Sequence, residues 1–600
     1  MDEGHLLGTG EWGKIELVGM AELTGTEDLI ADVAVSPDGN FAYLANWGEP
    51  DCAGPETGGR TSPDAGAYIV DISDLENPDQ VGFIPMPQDT RPGEGMHVVH
   101  LETKWFTGEV LAMNAEGCGK NYKGGFMLYD VTDPSKPTQL RLGVGDRTKS
   151  DAHQTHSVFI WQSGDRAYLV AQDEEDLADV DIYDITNPRA PRLIVELDLN
   201  DFDVNQPGLN LADSFLHDMV VKCMDSGPYA GRCILLASYW DGGYVLLDVT
   251  NPANPVFLGD TDFAVIDPEL LEQTGIALTP EGNAHQAEFT IDNRFILAAD
   301  EDFSPFRALL TTDDGGSYSA GEFGWTVPIS ELPDGTLNGP TVYGGYGCPA
   351  DRGGIPNAST LELAPGEEAI LVVQRGPVGD PSAPGAACFF SEKVETGELL
   401  GYDAVITANH HSGASGGEAP DASLCGSLGH AYEPQISAVC VGHRALHEIF
   451  DGAVGYTYPE AEPAVGAVGD TVTVTTQFDG WGYVHLFDAA TLEELDTFAI
   501  PEAMDPAFAT GFGDLSVHEV AVDPLDPSLA YLSYYSGGLR AIQIQCTDPA
   551  DTSTCQLVEV GGYLDPEGND FWGVETFVRN GETYILGSDR DSGLWIFRDP

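Results

Sequence analysis

GAYIVDISDLENPDQVGFI (66–84), GGFMLYDVTDPSKPTQLRLG (124–143), VDIYDITNPRAPRLIVEL (180–197) and GGYVLLDVTNPANPVFLG (242–259) are copies of one phrase. Each is an apolar run, an Asp, a turn and a second apolar run. Asn-Pro or Asp-Pro supplies the turn, because proline fixes φ and cannot extend a central strand. Weaker copies are WGYVHLFDAATLEELDTFAI (481–500), GGLRAIQIQ (537–545) and SGLWIFRDP (592–600). Two more strands precede each copy, as in DVAVSPDGNFAYLANW (32–47) and HSVFIWQSGDRAYLVAQD (156–173). Four strands per repeat, A to D, predict a β-propeller blade. Seven strand-A starts fall near residues 31, 97, 156, 217, 285, 518 and 574, so the ring has seven blades. The last repeat lacks strand D. The run IELVGMAEL (15–23) supplies it and closes the ring between the chain ends, which removes exposed sheet edges.

The starts are evenly spaced except from 285 to 518. Removing 306–471 restores a blade of ordinary length. The expected organisation is therefore propeller over 1–305, an α/β insertion over 306–471 in the B–C loop of blade five, and propeller again over 472–600. The insertion alternates strand, helix and strand: AILVVQRG (369–376), CFFSEKVETGELLGYDAVITAN (388–409) and ISAVCVGHRALHEIF (436–450).

The D-[IV]-[ST]-[DN]-P-x-x-P phrases resemble the LVIVD repeats of secreted bacterial surface propellers. That resemblance is specific for fold and says little of function. The insertion resembles the protease-associated domain, in which an apolar strand ending in Arg-Gly is followed by a Cys, a Lys-bearing helix and an apolar strand ending in Asn. It departs from the pattern in the stretch between Gly376 and Cys388, longer here than in that family. The resemblance implies a substrate- or partner-recruiting lid without catalytic residues of its own. The propeller uses the rest of the chain. There is no HExxH helix, and the propeller leaves no room for a peptidase domain, so protease activity is not expected.

Composition narrows the partners. Asp and Glu number 98 against 25 Lys and Arg, for a net charge of −73, which excludes a phosphate-neutralising nucleic-acid surface. No run reaches the length of a membrane span. Scarce lysine and dense carboxylates fit a halophilic or marine setting. The start MDEGHLL carries no signal peptide, and Met1 is read as replacing a removed one. The ten cysteines form no CxxC zinc pattern. They predict up to five disulfides in an oxidising compartment: Cys223 with Cys233, Cys546 with Cys555, Cys52 and Cys118 in equivalent loops, and Cys348, Cys388, Cys425 and Cys440 within the insertion.

Five histidines share one repeat position at the start of strand A: His97, His156, His217, His285 and His518. Blade one carries Ala31 there and blade seven Val574. Strand A lines the channel, so these imidazoles should converge on the axis. There they either hold copper, zinc or iron, with His100 and His153 as further ligands, or bond neighbouring backbone as structural groups. Glu288, three residues after His285, is the candidate base. Strand-B ends place Trp47, Glu116, Asp173, Trp240, Asp241, Asp302, Tyr535 and Asp591 on the same face, as a ligand rim. Calcium in the acidic loops is a further candidate. His443 and His447 form an i, i+4 pair without an evident third ligand, and His410 and His411 precede a Ser/Gly-rich stretch. The sequence thus supports a secreted or cell-surface binding platform for an extracellular protein, glycan or small molecule. The alternatives are a copper-type oxidoreductase with a hub metal and a carbohydrate-processing propeller.

Overall fold

A computed structural model describes residues 4–600 except 49–60, 88, 118–123, 146–153, 175–177, 207, 208, 210, 212, 213, 276, 333, 334, 377–387, 410–422, 427, 431 and 452–461. The chain divides into two compact units. The first comprises Met1–Asn205, Ser214–Phe303 and Gly480–Pro600; the second comprises Gln206–Asp213 and Ser304–Asp479.

The first unit is a seven-bladed β-propeller. Blade four shows the plan, with antiparallel strands Asp218–Cys223, Cys233–Ser238, Tyr244–Asp248 and Val256–Asp260 in sequence order. The repeated phrase is strand C, a turn and strand D. Its Asp is not decorative. Asp71, Asp130, Asp184 and Asp248 each accept, through Oδ1, the backbone N–H two residues on, at 2.8, 3.1, 3.0 and 3.0 Å. That Asx turn starts the reversal that proline completes. Ahead of these Asp residues the C–D register slips, between Ile69/Val70, Leu128/Tyr129, Ile182/Tyr183 and Leu246/Leu247. A bulge at that point increases twist toward the outer edge of each blade.

The ring closes as expected. Strand Glu16–Glu22 pairs antiparallel with Gly593–Arg598 and completes blade seven. One strand was not foreseen: Gly10–Gly13 adds a fifth to blade six, against Cys555–Leu564. Cores form between adjacent blades, as where Ile30, Leu44, Val70, Leu586 and Ile596 pack together without exposure. Among the described residues the disulfides are Cys223–Cys233, Cys348–Cys388, Cys425–Cys440 and Cys546–Cys555. Cys52 and Cys118 lie outside the described residues.

The second unit is a closed seven-stranded barrel. Thr336–Tyr343, Ile370–Gln374, Ala404–Ala408 and Ser437–Val441 run parallel. Helices Phe390–Leu399 and His443–Ile449 follow the strands that the sequence pattern marks. The far boundary needs correction. Residues 472–478, assigned above to the propeller, belong to strand Val468–Phe478, which pairs with Phe306–Thr312 and closes the barrel. The alternating run VTVTTQF suits any half-buried strand, so periodicity alone could not place it.

Blade five holds a buried charge network. His485 Nε2 lies 2.5 Å from Asp300 Oδ2, and its Nδ1 lies 2.5 Å from Glu494 Oε1. Tyr244 donates to Asp300 at 2.9 Å. Burial pulls the His485 pKa down, but Asp300 and Glu494 overrule it and hold it well above 6.5. The folded state therefore keeps a proton that the unfolded chain releases above about pH 6.5. This contribution is complete below that pH and declines as pH rises toward the folded value, by up to about 1.4 kcal/mol per unit. Denaturant midpoints measured from pH 6 to 9 should fall, and His485→Gln should flatten the slope. Equal slopes in the two proteins would contradict this assignment.

Candidate metal centre at the propeller hub

The inner edge of each strand A faces the channel, where no further strand can pair with its N–H groups. Side chains from the preceding blade supply the acceptors. Asp32 Oδ2 accepts Met96 N–H at 2.6 Å, Gln286 Oε1 accepts Val520 N–H at 3.0 Å, and Glu519 Oε2 accepts Val574 N–H at 2.9 Å. One tier along, His97 Nδ1 accepts Ile160 N–H and Glu288 Oε2 accepts Val522 N–H, each at 3.0 Å.

These latches set the register of the ring. The residue before the first tier is the hub position: Ala31, Glu94, His156, His217, His285, His518 and Trp572. Two blades differ from the sequence reading. In blade two the hub residue is Glu94. His97 sits three positions further on, stacked on Phe159 at 4.1 Å between ring centroids. Burial lowers its pKa to about 4, as befits a neutral acceptor. In blade seven the hub residue is Trp572, not Val574; Trp572 lies 4.1 Å from the His518 ring. Alignment of Glu94-Gly-Met-His-Val with His217-Asp-Met-Val-Val would have revealed the shift.

The four remaining imidazoles converge. Adjacent ring centroids are 4.6 Å apart for His156 and His217, 4.3 Å for His217 and His285, and 4.2 Å for His285 and His518. Glu94 stands among them, with carboxylate oxygens 3.1 Å from His156 Nε2, 3.3 Å from His285 Nε2 and 3.7 Å from His518 Nε2. Glu301, from the end of strand B in blade five, lies 3.3 Å from His285 Nε2 and 3.8 Å from His518 Nε2. Glu94 and Glu301 were not singled out in the sequence. His285 and His518 are fully buried, and Glu94 and Glu301 nearly so. Two sets, Glu94–His217–His285 and His285–Glu301–His518, each bring three ligand atoms within 4.8 Å of one another.

The electrostatics are those of a cation pocket. Burial opposes charge on Glu94, yet His285, His217 and His518 hold its pKa well below the ordinary value. His285 is pushed up to about 9, because Glu94 and Glu301 outweigh its burial. His156 is likewise raised, against burial, by Glu116 and Glu94. Burial first, and then the neighbouring His285, lower the pKa values of His217 and His518. Protons on His285 and His156 thus balance the buried carboxylates.

Loops SYWDGG (238–243) and SYYSGG (533–538) repeat one device beside this cluster. Trp240 and Tyr535 take left-handed φ values of 41° and 44°, unusual for bulky side chains. Each bridges to the next blade, Trp240 to Ala284 and Tyr535 to Phe571. Their rings lie 5.1 Å from His217 and 5.2 Å from His518. Tyr535 also donates its hydroxyl to Glu301.

The other expected site residues are spread around this core. Glu116 joins it through His156 Nδ1, at 2.7 Å, and pairs with Arg91. Trp47 meets Trp572 edge-on at 4.7 Å beneath Arg590. Asp173, Asp241 and Asp302 are buried at strand-B ends. Asp591 accepts Asp28 N–H at 3.0 Å, and Glu288 is held by its latch to Val522. His100 points outward, exposed, opposite Glu109. His153, His410 and His411 lie outside the described residues.

The LVIVD repeat family matches residues 238–262, which contain strands C and D of blade four. No curated protein sequence matches the chain. Among solved structures, the β-propeller domain of Cps50 (Swd1) from Myceliophteria thermophila is 10% identical, with a TM-score of 0.37, over 98% of this chain and 100% of that one. Sqt1 of Saccharomyces cerevisiae is 8% identical, with a TM-score of 0.37, over 97% and 99%. A zinc aminopeptidase from Bacillus subtilis is 15% identical, with a TM-score of 0.19, over 32% of this chain; the match spans 35% of the aminopeptidase.

Glu94→Gln removes the anion that three of these histidines share. The proton-release midpoint of His285, near 9 with Glu94 in place, should fall by at least a unit. Imidazole NMR titration of the metal-free protein reads this directly; an unmoved midpoint would show that Glu94 does not govern the cluster.

Proposed function

We propose that the protein is an extracellular metalloprotein: a propeller platform whose hub holds one transition-metal ion. The observation behind this reading is a set of buried polar atoms without hydrogen-bond partners. His217 Nδ1 and His285 Nδ1 are in that position, and His285 Nε2 and His518 Nε2 meet carboxylate oxygens of Glu94 and Glu301 at 3.3–3.8 Å, short of well-formed hydrogen bonds. Buried polar groups are almost always bonded, and a bound ion is one standing reason for an exception. His97 supplies the internal contrast, since a structural histidine in this same ring finds a backbone N–H.

The donor set fits such an ion. Imidazoles and two carboxylates suit copper, zinc or iron, whereas calcium and magnesium call for oxygen alone. A bound ion supplies Lewis-acid chemistry, and redox chemistry if it is copper or iron. Around it, Glu94 offers negative charge, Glu301 is oriented by the Tyr535 hydroxyl, and Glu116 steadies His156 through Nδ1. Such outer contacts fix ligand tautomers and directions. Trp240, stacked on Phe215 at 5.3 Å and on Phe303 at 6.1 Å, offers an apolar wall for a small molecule or glycan.

Four disulfides among the described residues support an oxidising compartment. The inserted barrel, read as a protease-associated-type module, would recruit a partner or substrate. Lys393 supports that reading: its buried ammonium collects the carbonyls of Tyr346, Gln374 and Gly376 at 2.6, 3.0 and 3.0 Å. It thereby ties the helix to the strand that ends in Arg-Gly.

Elemental analysis of untagged protein from metal-replete medium should find near-stoichiometric copper, zinc or iron. His217→Ala combined with His285→Ala should abolish that metal. His97→Ala should keep it while costing about 1–3 kcal/mol of stability, through the orphaned Ile160 N–H. Folded protein without any transition metal would overturn the proposal.

A further inference from the structure

We infer that the inserted unit holds a divalent ion of the zinc class on His443, His447 and Glu462. Helix His443–Ile449 sets the two histidines one turn apart, so their rings share a face. Their centroids are 4.9 Å apart. Both are buried, with 1% and 2% exposure. The third group follows the helix in the chain: a Glu462 oxygen lies 3.6 Å from His443 Nε2. One ligand atom from each residue falls within 4.8 Å of the other two.

The surroundings prepare these atoms for coordination. His443 Nδ1 donates to the Asn409 carbonyl at 2.6 Å, which leaves the lone pair on Nε2, facing Glu462. This is the usual arrangement behind a metal-binding imidazole. The other Glu462 oxygen faces the Tyr343 hydroxyl at 3.5 Å, and that hydroxyl accepts from Gln374 Nε2 at 2.6 Å. The separation of 3.6 Å is too long for a hydrogen bond. It is close to the roughly 3.3 Å that separates ligand atoms around a tetrahedral zinc ion with bonds near 2.0–2.1 Å. The Cys425–Cys440 disulfide anchors the strand that leads into the helix. Glu462 retains 28% side-chain exposure. Two imidazoles and one carboxylate select zinc, cobalt(II) or nickel over calcium. These three residues belong to the second unit and the hub residues to the first.

The full-length protein, stripped with chelator, can be titrated with cobalt(II), whose visible absorption reports imidazole coordination. His447→Ala and Glu462→Gln should each remove one equivalent, or weaken it at least tenfold, while His217→Ala with His285→Ala leaves that equivalent in place. Circular dichroism checks folding. Glu462→Gln is nearly isosteric at a partly exposed site, so it decides the matter even if His447→Ala unfolds. Unchanged stoichiometry and affinity in Glu462→Gln would overturn the assignment. So would loss of all cobalt binding in the hub double variant.

Discussion

Seven inner strands line the channel, and the inner edge of each has no neighbour to complete its hydrogen bonding. Backbone N–H groups left buried and unpaired would destabilise the ring at every blade. Side chains reaching across blade boundaries satisfy them instead. Asp32, Gln286 and Glu519 act at one tier and His97 and Glu288 at the next. Because each latch joins fixed positions of successive blades, it sets the height of every strand along the channel. The hub residues therefore arrive at one level, which is why imidazoles from three blades can share one carboxylate.

The same requirement concentrates ionisable groups in a dry space. Asp32 and Glu519 sit beside Glu94, and burial together with this mutual repulsion raises the pKa of each well above the usual carboxylate range. Glu94 goes the other way, because imidazoles surround it. The two latching carboxyls are thus biased toward their neutral forms and Glu94 toward its anion. Buried charge of this kind is stable only when compensated. In the metal-free chain, protons on His285 and His156 do this; a bound cation would replace them. Strained backbone at Trp240 and Tyr535, which sets aromatic rings against His217 and His518, adds a cost that ring closure must carry.

Much of this was legible in the linear chain. The Asp-turn-Pro phrase announces the C–D hairpin because its chemistry is local: an Asx turn needs only the next two residues. The closing strand near residue 16 was foreseeable because an incomplete last blade demands a partner. The hub was partly legible. His156, His217, His285 and His518 keep the register, but His97 imitates it. A histidine beside Val-Val looks the same whether it begins the strand or lies three residues inside, and only the latch to Ile160 separates the two cases. Glu301, just past a strand-B end, and Glu462, a short way beyond His447, carry no repeated pattern that ties them to their histidines; only the folded chain shows those contacts.

Sequence by itself determined the number of blades, the place where the insertion leaves, the cysteine pairs within hairpins and the stock of hub histidines. All of these follow from short-range patterns repeated down the chain. Tertiary structure decided which side chain stands at each hub position, which carboxylate enters the cluster, where the inserted barrel ends and what completes the His443–His447 pair. Those outcomes depend on groups from different elements, some in the hub hundreds of residues apart, being brought within a few ångströms. Burial and unpaired donors select that geometry, and no local pattern encodes it.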